Sequence, residues 1–249
     1  IRRVVQHCLR IRYLHQNQRR SVHQRAAAVK STPICGGVQV LLDATRAFDR
    51  VPRQPLFDFI STLPVDQRLV VLLTVWHSHT AYVIEHDGQA ATVGTGRGVR
   101  QGCRAAPILW ACHTLELCHR LSNRISAEWV KMCLTIFADD IHCCEEFASI
   151  PQLERALARI GILLDMLETM GVQLSFAKSH VLFHVCGTNS RDVYRRFIHV
   201  GAEGPYLNIP RADGTYSQLP IKTTAKYLDR KSTRLNSSHV KRSRMPSSA

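Results

Sequence analysis

The chain has 249 residues, of which 45% are hydrophobic and 21% are charged, and its formal net charge is +14 at pH 7. This composition is typical of a globular protein with a substantial core, and it excludes a disordered chain. No apolar run approaches the ~20 residues that a membrane-spanning helix needs, so we expect no membrane partner.

The basic charge lies at the two ends of the chain. Residues 1–42 contain eight Lys or Arg, residues 230–249 contain six, and neither stretch contains an acid. Residues 43–229 therefore contain equal numbers of basic and acidic residues, and their net charge is zero. A basic segment is typical of nucleic-acid binding, because neutralisation of phosphates drives sequence-independent affinity. A solvated helix face has the same composition, so charge alone leaves both interpretations open.

The first segment, residues 1–28, is predicted to be a helix because its apolar residues recur near a period of 3.6. The sequence starts inside this pattern, without Met and without the features of a signal peptide. We therefore expect a fragment of an intracellular protein, cytoplasmic or nuclear and not secreted. Ser31-Thr32-Pro33 and Gly36-Gly37 predict a break before the first strand.

Three acidic residues stand at the ends of short apolar strands. Asp43 ends the run at residues 38–42, and Asp139 and Asp140 lie between the runs at 132–137 and 141–144. The last two runs predict a hairpin with two carboxylates at its tip. An isolated pair of this kind is usually a solvated turn, but adjacent like charges also favour a neutralising cation.

Three strand-borne carboxylates suit Mg²⁺, which prefers oxygen ligands. Two such ions about 3.5–4 Å apart can activate an attacking oxygen and stabilise the leaving oxygen in phosphoryl transfer. The spacing therefore leads to the hypothesis of a two-metal site formed by one strand and one distant hairpin.

The segment between these acids predicts helices and one further hairpin. Helices are expected at residues 56–63, 67–79 and 108–125. Strands at 81–84 and 90–93 join through Asp87-Gly88, a strong hairpin signal. The second helix carries a wide apolar stripe that we expect in the core. The stripe comprises Leu69, Val70, Leu72, Leu73 and Trp76.

The segment after Asp140 predicts one long helix and a small sheet. The helix spans residues 150–170 and stops at Gly171, and strands follow at 181–186, 206–210 and 216–220. One face of the helix is apolar and is expected in the core. That face comprises Leu153, Leu157, Ile160, Leu164 and Leu167.

The nine cysteines form no Cys-x-x-Cys pair. Cys and His residues within 112–119 and 142–144 are close in sequence, but their spacing matches no zinc-ligand pattern. Buried thiols in a reducing compartment are the expected state.

Five short motifs in this order resemble those of reverse transcriptases. LLDATRAFDRVP at residues 41–52 resembles the first catalytic motif, GVRQGC at 98–103 the second and FADD at 137–140 the third. GVQLSFAKS at 171–179 is similar to the fourth motif, and KYL at 226–228 to the start of the fifth. The short sequences AFD and FADD are most similar to those of the non-LTR, LINE-like retrotransposon enzymes, and next to those of the group II intron enzymes.

The resemblance implies an α+β fold, namely a polymerase palm in which helices pack on one face of an antiparallel sheet. The palm is expected at residues 38–228 and part of the fingers at 1–37, while the thumb is expected to be missing. The implied reaction is RNA-templated transfer of deoxynucleotidyl groups to a primer 3′-OH, with two Mg²⁺ ions that Mn²⁺ can replace. The implied partners are an RNA template, a DNA primer and dNTPs, with an endonuclease domain elsewhere in the parent polyprotein.

The resemblance also implies a role for each motif residue. The metal-binding and catalytic carboxylates are Asp43, Asp139 and Asp140. Lys178 matches the lysine that protonates the pyrophosphate leaving group; otherwise it is a surface lysine. Phe48 matches the bulky gate that excludes a ribose 2′-OH; otherwise it packs in the core. The implied nucleotide and template site comprises Arg100, Gln101 and Gly102. The implied primer grip comprises Lys226, Tyr227 and Leu228.

The sequence departs from the family pattern in three places. Arg104 stands where Pro is usual, Asp229 where Gly is usual, and the Asn common near Ser175 or Phe176 is missing. The tail at 229–249 is rich in Ser, Arg and Lys and resembles translated sequencing-adapter sequence. We expect the tail to be non-native; the other interpretation is a basic nucleic-acid-binding tail, and both predict disorder.

Two other functions compete with the polymerase. The first is a truncated, non-catalytic remnant that binds nucleic acid, which fits a chain without a thumb. The second is an RNA-dependent RNA polymerase, against which Phe48 and the Ala-Asp-Asp sequence, in place of Gly-Asp-Asp, both argue.

Overall fold

The computed structural model describes residues 34–78, 80–99, 103–223, 225–227 and 230–232, the last two ranges as backbone only. The helix predicted at 1–28 lies outside the described residues, as do Arg100, Gln101, Gly102 and Leu228.

Helices and antiparallel strands are interspersed along the chain. The strands are β1 (Cys35–Asp43), β2 (Ala81–His86), β3 (Gln89–Gly94), β4 (Leu134–Phe137), β5 (Asp140–Phe147), β6 (His180–Cys186), β7 (Ile198–Gly201), β8 (Gly204–Pro210), β9 (Tyr216–Pro220), β10 (Ala225–Tyr227) and β11 (Arg230–Ser232). The helices are α1 (Ala47–Arg50), α2 (Arg53–Ser61), α3 (Gln67–Ser78), α4 (Ala106–Arg124), α5 (Ala127–Cys133), α6 (Ile150–Thr169) and α7 (Ser190–Phe197).

The main sheet has four strands in the order β4-β5-β1-β6, and every pair is antiparallel. Strand β1 is buried on both faces, as its continuous apolar run predicts, and Val38 and Val40 are fully inaccessible to solvent. The other strands with described side chains form a smaller sheet of β7, β8 and β9 and the separate β2–β3 hairpin. The structure therefore has the mixed composition of helices and antiparallel sheet that the sequence predicts.

The core lies between the main sheet and the two longest helices. Helix α6 packs against β5, β8 and α4. Its predicted apolar face is buried, since each of the five residues is at most 3% exposed. Pro151 lies in the first turn, where its missing N–H costs nothing. The helix ends at Thr169 with Met170 as its C-cap, so Gly171 stands at the C′ position, as predicted.

Strand β1 begins earlier than predicted, because Gly36 and Gly37 are part of it and do not interrupt the chain. A Cβ on Gly36 would lie 2.1 Å from the His184 carbonyl oxygen and 2.6 Å from the Phe147 ring. The prediction of a break here was wrong because this glycine serves close approach within the sheet and not a turn.

The apolar stripe of α3 is not core, contrary to the prediction. Only Val70 on that stripe is buried, while Leu69, Leu72 and Trp76 are 47%, 62% and 59% exposed. The pattern was a correct signal for a helix, since α3 forms at the predicted place. It could not show whether a partner covers the stripe, and no element among the described residues does.

The hairpin of the third motif starts two residues later than predicted. Met132 and Cys133 form the end of α5, whose first turn is capped by the Ser126 hydroxyl accepting from the Trp129 amide at 3.0 Å. The sequence interpretation also missed α1, α7 and β7. The strand predictions at 81–84, 90–93, 181–186, 206–210 and 216–220 are confirmed.

Part of the predicted disordered tail is paired. Arg230–Ser232 forms an antiparallel ladder with Ala225–Tyr227. A two-stranded ladder uses backbone groups alone, so a composition without apolar pattern does not prevent it. Residues 233–249 lie outside the described residues. Within the part of the chain that the structure describes, no helix is long and apolar enough to cross a membrane.

Candidate active site

The end of β1 lies directly beside the turn between β4 and β5. The ladder places Asp43 opposite Asp140, and the amide of Ala44 donates to the carbonyl oxygen of Asp139 at 3.3 Å. The three acids predicted from the sequence are therefore brought together on adjacent backbone segments.

The turn itself holds an unusual backbone conformation. Phe137 and Asp140 are paired, so Ala138 and Asp139 alone connect the strands. Ala138 has φ 50, a left-handed conformation that costs a residue with a Cβ about 1 kcal/mol or more. The indole Nε1 of Trp110 on α4 donates to the Ala138 carbonyl oxygen at 2.9 Å. This hydrogen bond fixes the turn against the helix.

The segment of the fourth motif holds Asp43 from the other side. The Ser175 amide donates to the Asp43 carbonyl at 2.9 Å, and the Asp43 amide donates to the Ser179 hydroxyl at 3.1 Å. The Nζ of Lys178 lies 3.7 Å from Oδ2 of Asp43, and its side chain is 72% exposed. The first, third and fourth motifs thus meet at one point.

The oxygen atoms available at this site are suitable ligands for a divalent cation. Its acids supply carboxylate oxygens, the ligands that Mg²⁺ prefers, and Asp139 is exposed to solvent. Within the described ranges, no three His, Cys, Asp or Glu side chains are already gathered in the geometry of a metal site. The backbone is therefore in place, whereas the carboxylates would have to turn towards a common ion.

Phe48 lies on α1, beside a cavity of about 640 Å³. The cavity is lined by Ala44, Arg46, Ala47, Phe48, Cys103, Ala106, Pro107 and Asp139. The Phe48 ring is partly buried and packs on Trp110, with centroids 5.0 Å apart and ring planes inclined by 34°. The same side chain therefore packs against a neighbour and limits the space next to Asp139, so the two interpretations of Phe48 are compatible.

The glycine-rich loop that leads into the second motif crosses α1. The Val99 amide donates to the Phe48 carbonyl at 2.8 Å, and the Gly98 amide donates to the Val51 carbonyl at 2.9 Å. Gly98 has φ 86, and a Cβ there would lie 2.5 Å from the Asp49 carbonyl oxygen. Only glycine meets both conditions. The loop leads into the second motif, and Cys103, at the end of that motif, lines the cavity beside Phe48.

Arg53, which the sequence analysis missed, secures this loop. Its guanidinium donates five hydrogen bonds, each between 2.5 and 2.9 Å long. The acceptors are the carbonyl oxygens of His77, Thr95, Arg97 and Gly98 and the hydroxyl of Thr95. Burial lowers the pKa of Arg53 from its ordinary value. No sequence pattern marks this residue, because most of its acceptors are backbone atoms far along the chain.

The primer-grip residues are described only in part. Lys226 and Tyr227 belong to β10, which pairs with β11 as a short hairpin. Their predicted role, like that of Leu228, stays a prediction.

The chain matches the family "Reverse transcriptase (RNA-dependent DNA polymerase)" over residues 2–228. Because this match covers most of the 249 residues, the chain belongs to that family, which consists of nucleotidyltransferases. A search of curated proteins found no match.

Two telomerase structures from Candida tropicalis are similar to this chain. The apo enzyme truncated from its C-terminal domain is 14% identical with a TM-score of 0.44, and the match covers 71% of this chain and 34% of the telomerase chain. The telomerase in complex with a TWJ fragment of telomeric RNA is 14% identical with a TM-score of 0.41, and the match covers 68% of this chain and 29% of that one. The match thus spans about a third of the telomerase chains.

Proposed function

We propose that residues 38–228 are the palm of an RNA-directed DNA polymerase from a non-LTR retrotransposon. The observation that carries the proposal is the register of β1 with β5, which pairs Asp43 with Asp140 next to Asp139. The cavity lined by Asp139 and Phe48 gives an incoming nucleotide a place beside these acids. The AFD and FADD sequences support the retrotransposon origin.

In this proposal each part of the site has a separate task. Asp43, Asp139 and Asp140 would hold two Mg²⁺ or Mn²⁺ ions, which supply activation of the primer 3′-OH and stabilisation of the developing charge. Phe48, which lines the cavity, would exclude ribonucleotides by clashing with a ribose 2′-OH. The exposed ammonium of Lys178, 3.7 Å from Asp43, would protonate the oxygen of the leaving pyrophosphate, while Arg100, Gln101 and Gly102 would bind nucleotide and template.

Cation binding by the 249-residue chain tests the metal role directly. We expect Asp43→Asn to raise the Kd for Mn²⁺ at least tenfold, measured by the EPR signal of free Mn²⁺, because a carboxylate ligand is lost. Asp87→Asn is the matched control, since Asp87 is 89% exposed in the β2–β3 turn and Asn tolerates its φ of 49. Equal Kd values for Asp43→Asn and the wild-type chain would reject the metal role.

Primer extension tests the reaction. A longer chain that includes fingers and thumb should extend oligo(dT) on poly(rA) with Mg²⁺, and Asp43→Ala should abolish extension. The flanking genomic sequence tests the retrotransposon origin, because an open frame that encodes an endonuclease would support it and its absence on both sides would oppose it.

A further inference from the structure

Trp110 makes two different contacts with the site. Its indole Nε1 donates to the Ala138 carbonyl at 2.9 Å, and its ring packs on Phe48 at 5.0 Å. Trp110 is 6% exposed and is therefore buried in the core next to the site. One residue thus touches the turn that carries Asp139 and the side chain that limits the cavity.

The start of α4 explains how Trp110 reaches both. Ala106 and Pro107 occupy the first turn of the helix and line the cavity. Trp110 lies four residues after Ala106 and three after Pro107, and residues at these spacings share one face of a helix. The indole therefore packs against Phe48, which lines the cavity, and its N–H reaches the β4–β5 turn.

The hydrogen bond acts at a strained point. Ala138 has φ 50, and its peptide group leads directly to Asp139. A donor that holds the Ala138 carbonyl limits the rotation of that peptide group and with it the direction of the Asp139 side chain. Trp110→Phe would remove the N–H that holds this carbonyl.

We infer that Trp110 is a positioning residue that orients Asp139 through its N–H and supports the Phe48 gate through its ring. The inference rests on the proposed function. The two effects belong to different atoms of the indole, so different substitutions separate them. Trp110→Phe removes the donor and keeps an aromatic ring against Phe48. Trp110→Leu removes both.

The test uses the 249-residue chain with Mn²⁺, and with Mn²⁺ plus dTTP or UTP. We expect Trp110→Phe to raise the Kd for Mn²⁺ about three- to tenfold, the effect of one lost hydrogen bond. The ratio of the UTP Kd to the dTTP Kd should then stay within about twofold of wild type. Trp110→Leu should raise the Mn²⁺ Kd similarly and lower that ratio at least about threefold, because Phe48 loses its support.

Trp129→Phe is the matched control. Trp129 is equally buried, at 5% exposed. Its indole Nε1 donates a 2.7 Å hydrogen bond to Glu145, which does not belong to the site. Its loss should lower the unfolding midpoint in urea and leave the Mn²⁺ Kd and the nucleotide ratio unchanged. Amide hydrogen exchange of residues 138–140 should become faster in Trp110→Phe and not in Trp129→Phe, a readout that does not require a metal.

The outcomes separate this inference from the proposed function. If Asp139→Asn weakens Mn²⁺ binding but Trp110→Phe changes neither the Kd nor the exchange, Trp110 is only a packing residue and the inference is overturned alone. If wild type and Asp139→Asn bind Mn²⁺ equally, the metal role and the inference both fail. Should Trp110→Leu not fold, Trp110→Phe and its exchange rates still decide the role of the N–H.

Discussion

Arg53 should be a main determinant of stability around the glycine-rich loop. Its guanidinium donates five hydrogen bonds to acceptors on α3 and the loop, and no carboxylate is among these acceptors. In Arg53→Lys the charge remains, but one ammonium can reach only one or two of the acceptors. The substitution therefore removes three or four hydrogen bonds and leaves the loop carbonyls to water.

The expected loss of unfolding free energy follows from these contacts. A typical hydrogen bond contributes about 1 kcal/mol net, and those from a charged donor contribute more. Water can replace some of them, since Arg53 is only partly buried and one of its bonds is exposed. We expect Arg53→Lys to lower the free energy of unfolding by about 2–4 kcal/mol.

Urea denaturation measures this loss as a lower midpoint with an unchanged slope. Amide exchange at Gly98 and Val99 and trypsin cleavage after Arg97 should also accelerate, because the loop is released locally. Arg68→Lys on the exposed part of α3 is the control and should change neither. If Arg53→Lys costs less than about 0.5 kcal/mol and loop exchange stays at its wild-type rate, the five contacts do not hold the loop.

Three further predictions concern packing, pH and sugar selection. Gly161→Ala should lower the free energy of unfolding by about 1–3 kcal/mol, because its Cβ would lie 1.8 Å from the Pro210 carbonyl oxygen and force α6 away from β8. Burial, with Arg120 nearby, lowers the pKa of His113 from 6.5 to about 4. The unfolded chain then binds an extra proton between these pH values, so about 3 kcal/mol of stability present above pH 6.5 is lost as the pH falls to 4, and His113→Phe should flatten this slope in urea titrations. Phe48→Val should raise ribonucleotide incorporation relative to deoxynucleotide incorporation in primer extension by the longer chain.

Each of these has a clear contrary result. Gly96→Ala should be almost neutral, since a Cβ there meets no described atom within 4 Å, and an equal loss in both glycine variants would refute the packing argument. An unchanged slope of stability against pH in His113→Phe would mean that His113 is solvated when the chain is folded. Wild-type sugar selection in Phe48→Val would leave Phe48 as a packing residue.

Much of the fold was predictable because local patterns report it. The buried run at 38–42, the apolar face of α6 and the Asp87-Gly88 turn each predicted the observed element. Burial of α3 was not predictable, because a periodic pattern shows which face can be buried and not whether another element covers it. Gly36 of β1 was misread for a similar reason, since what requires a glycine there is the approach of the His184 carbonyl and the Phe147 ring from the two neighbouring strands.

For the candidate site, too, some features were predictable from the sequence and others were not. The identities of Asp43, Phe48, Asp139 and Asp140 follow from the sequence alone, through short motifs that need no tertiary information. The pairing of Asp43 with Asp140 and the hydrogen bonds of Trp110 and Arg53 depended on the tertiary structure. Their acceptors are mostly backbone carbonyls, which every residue carries, so side-chain identity cannot indicate which of them a folded chain brings within hydrogen-bond distance.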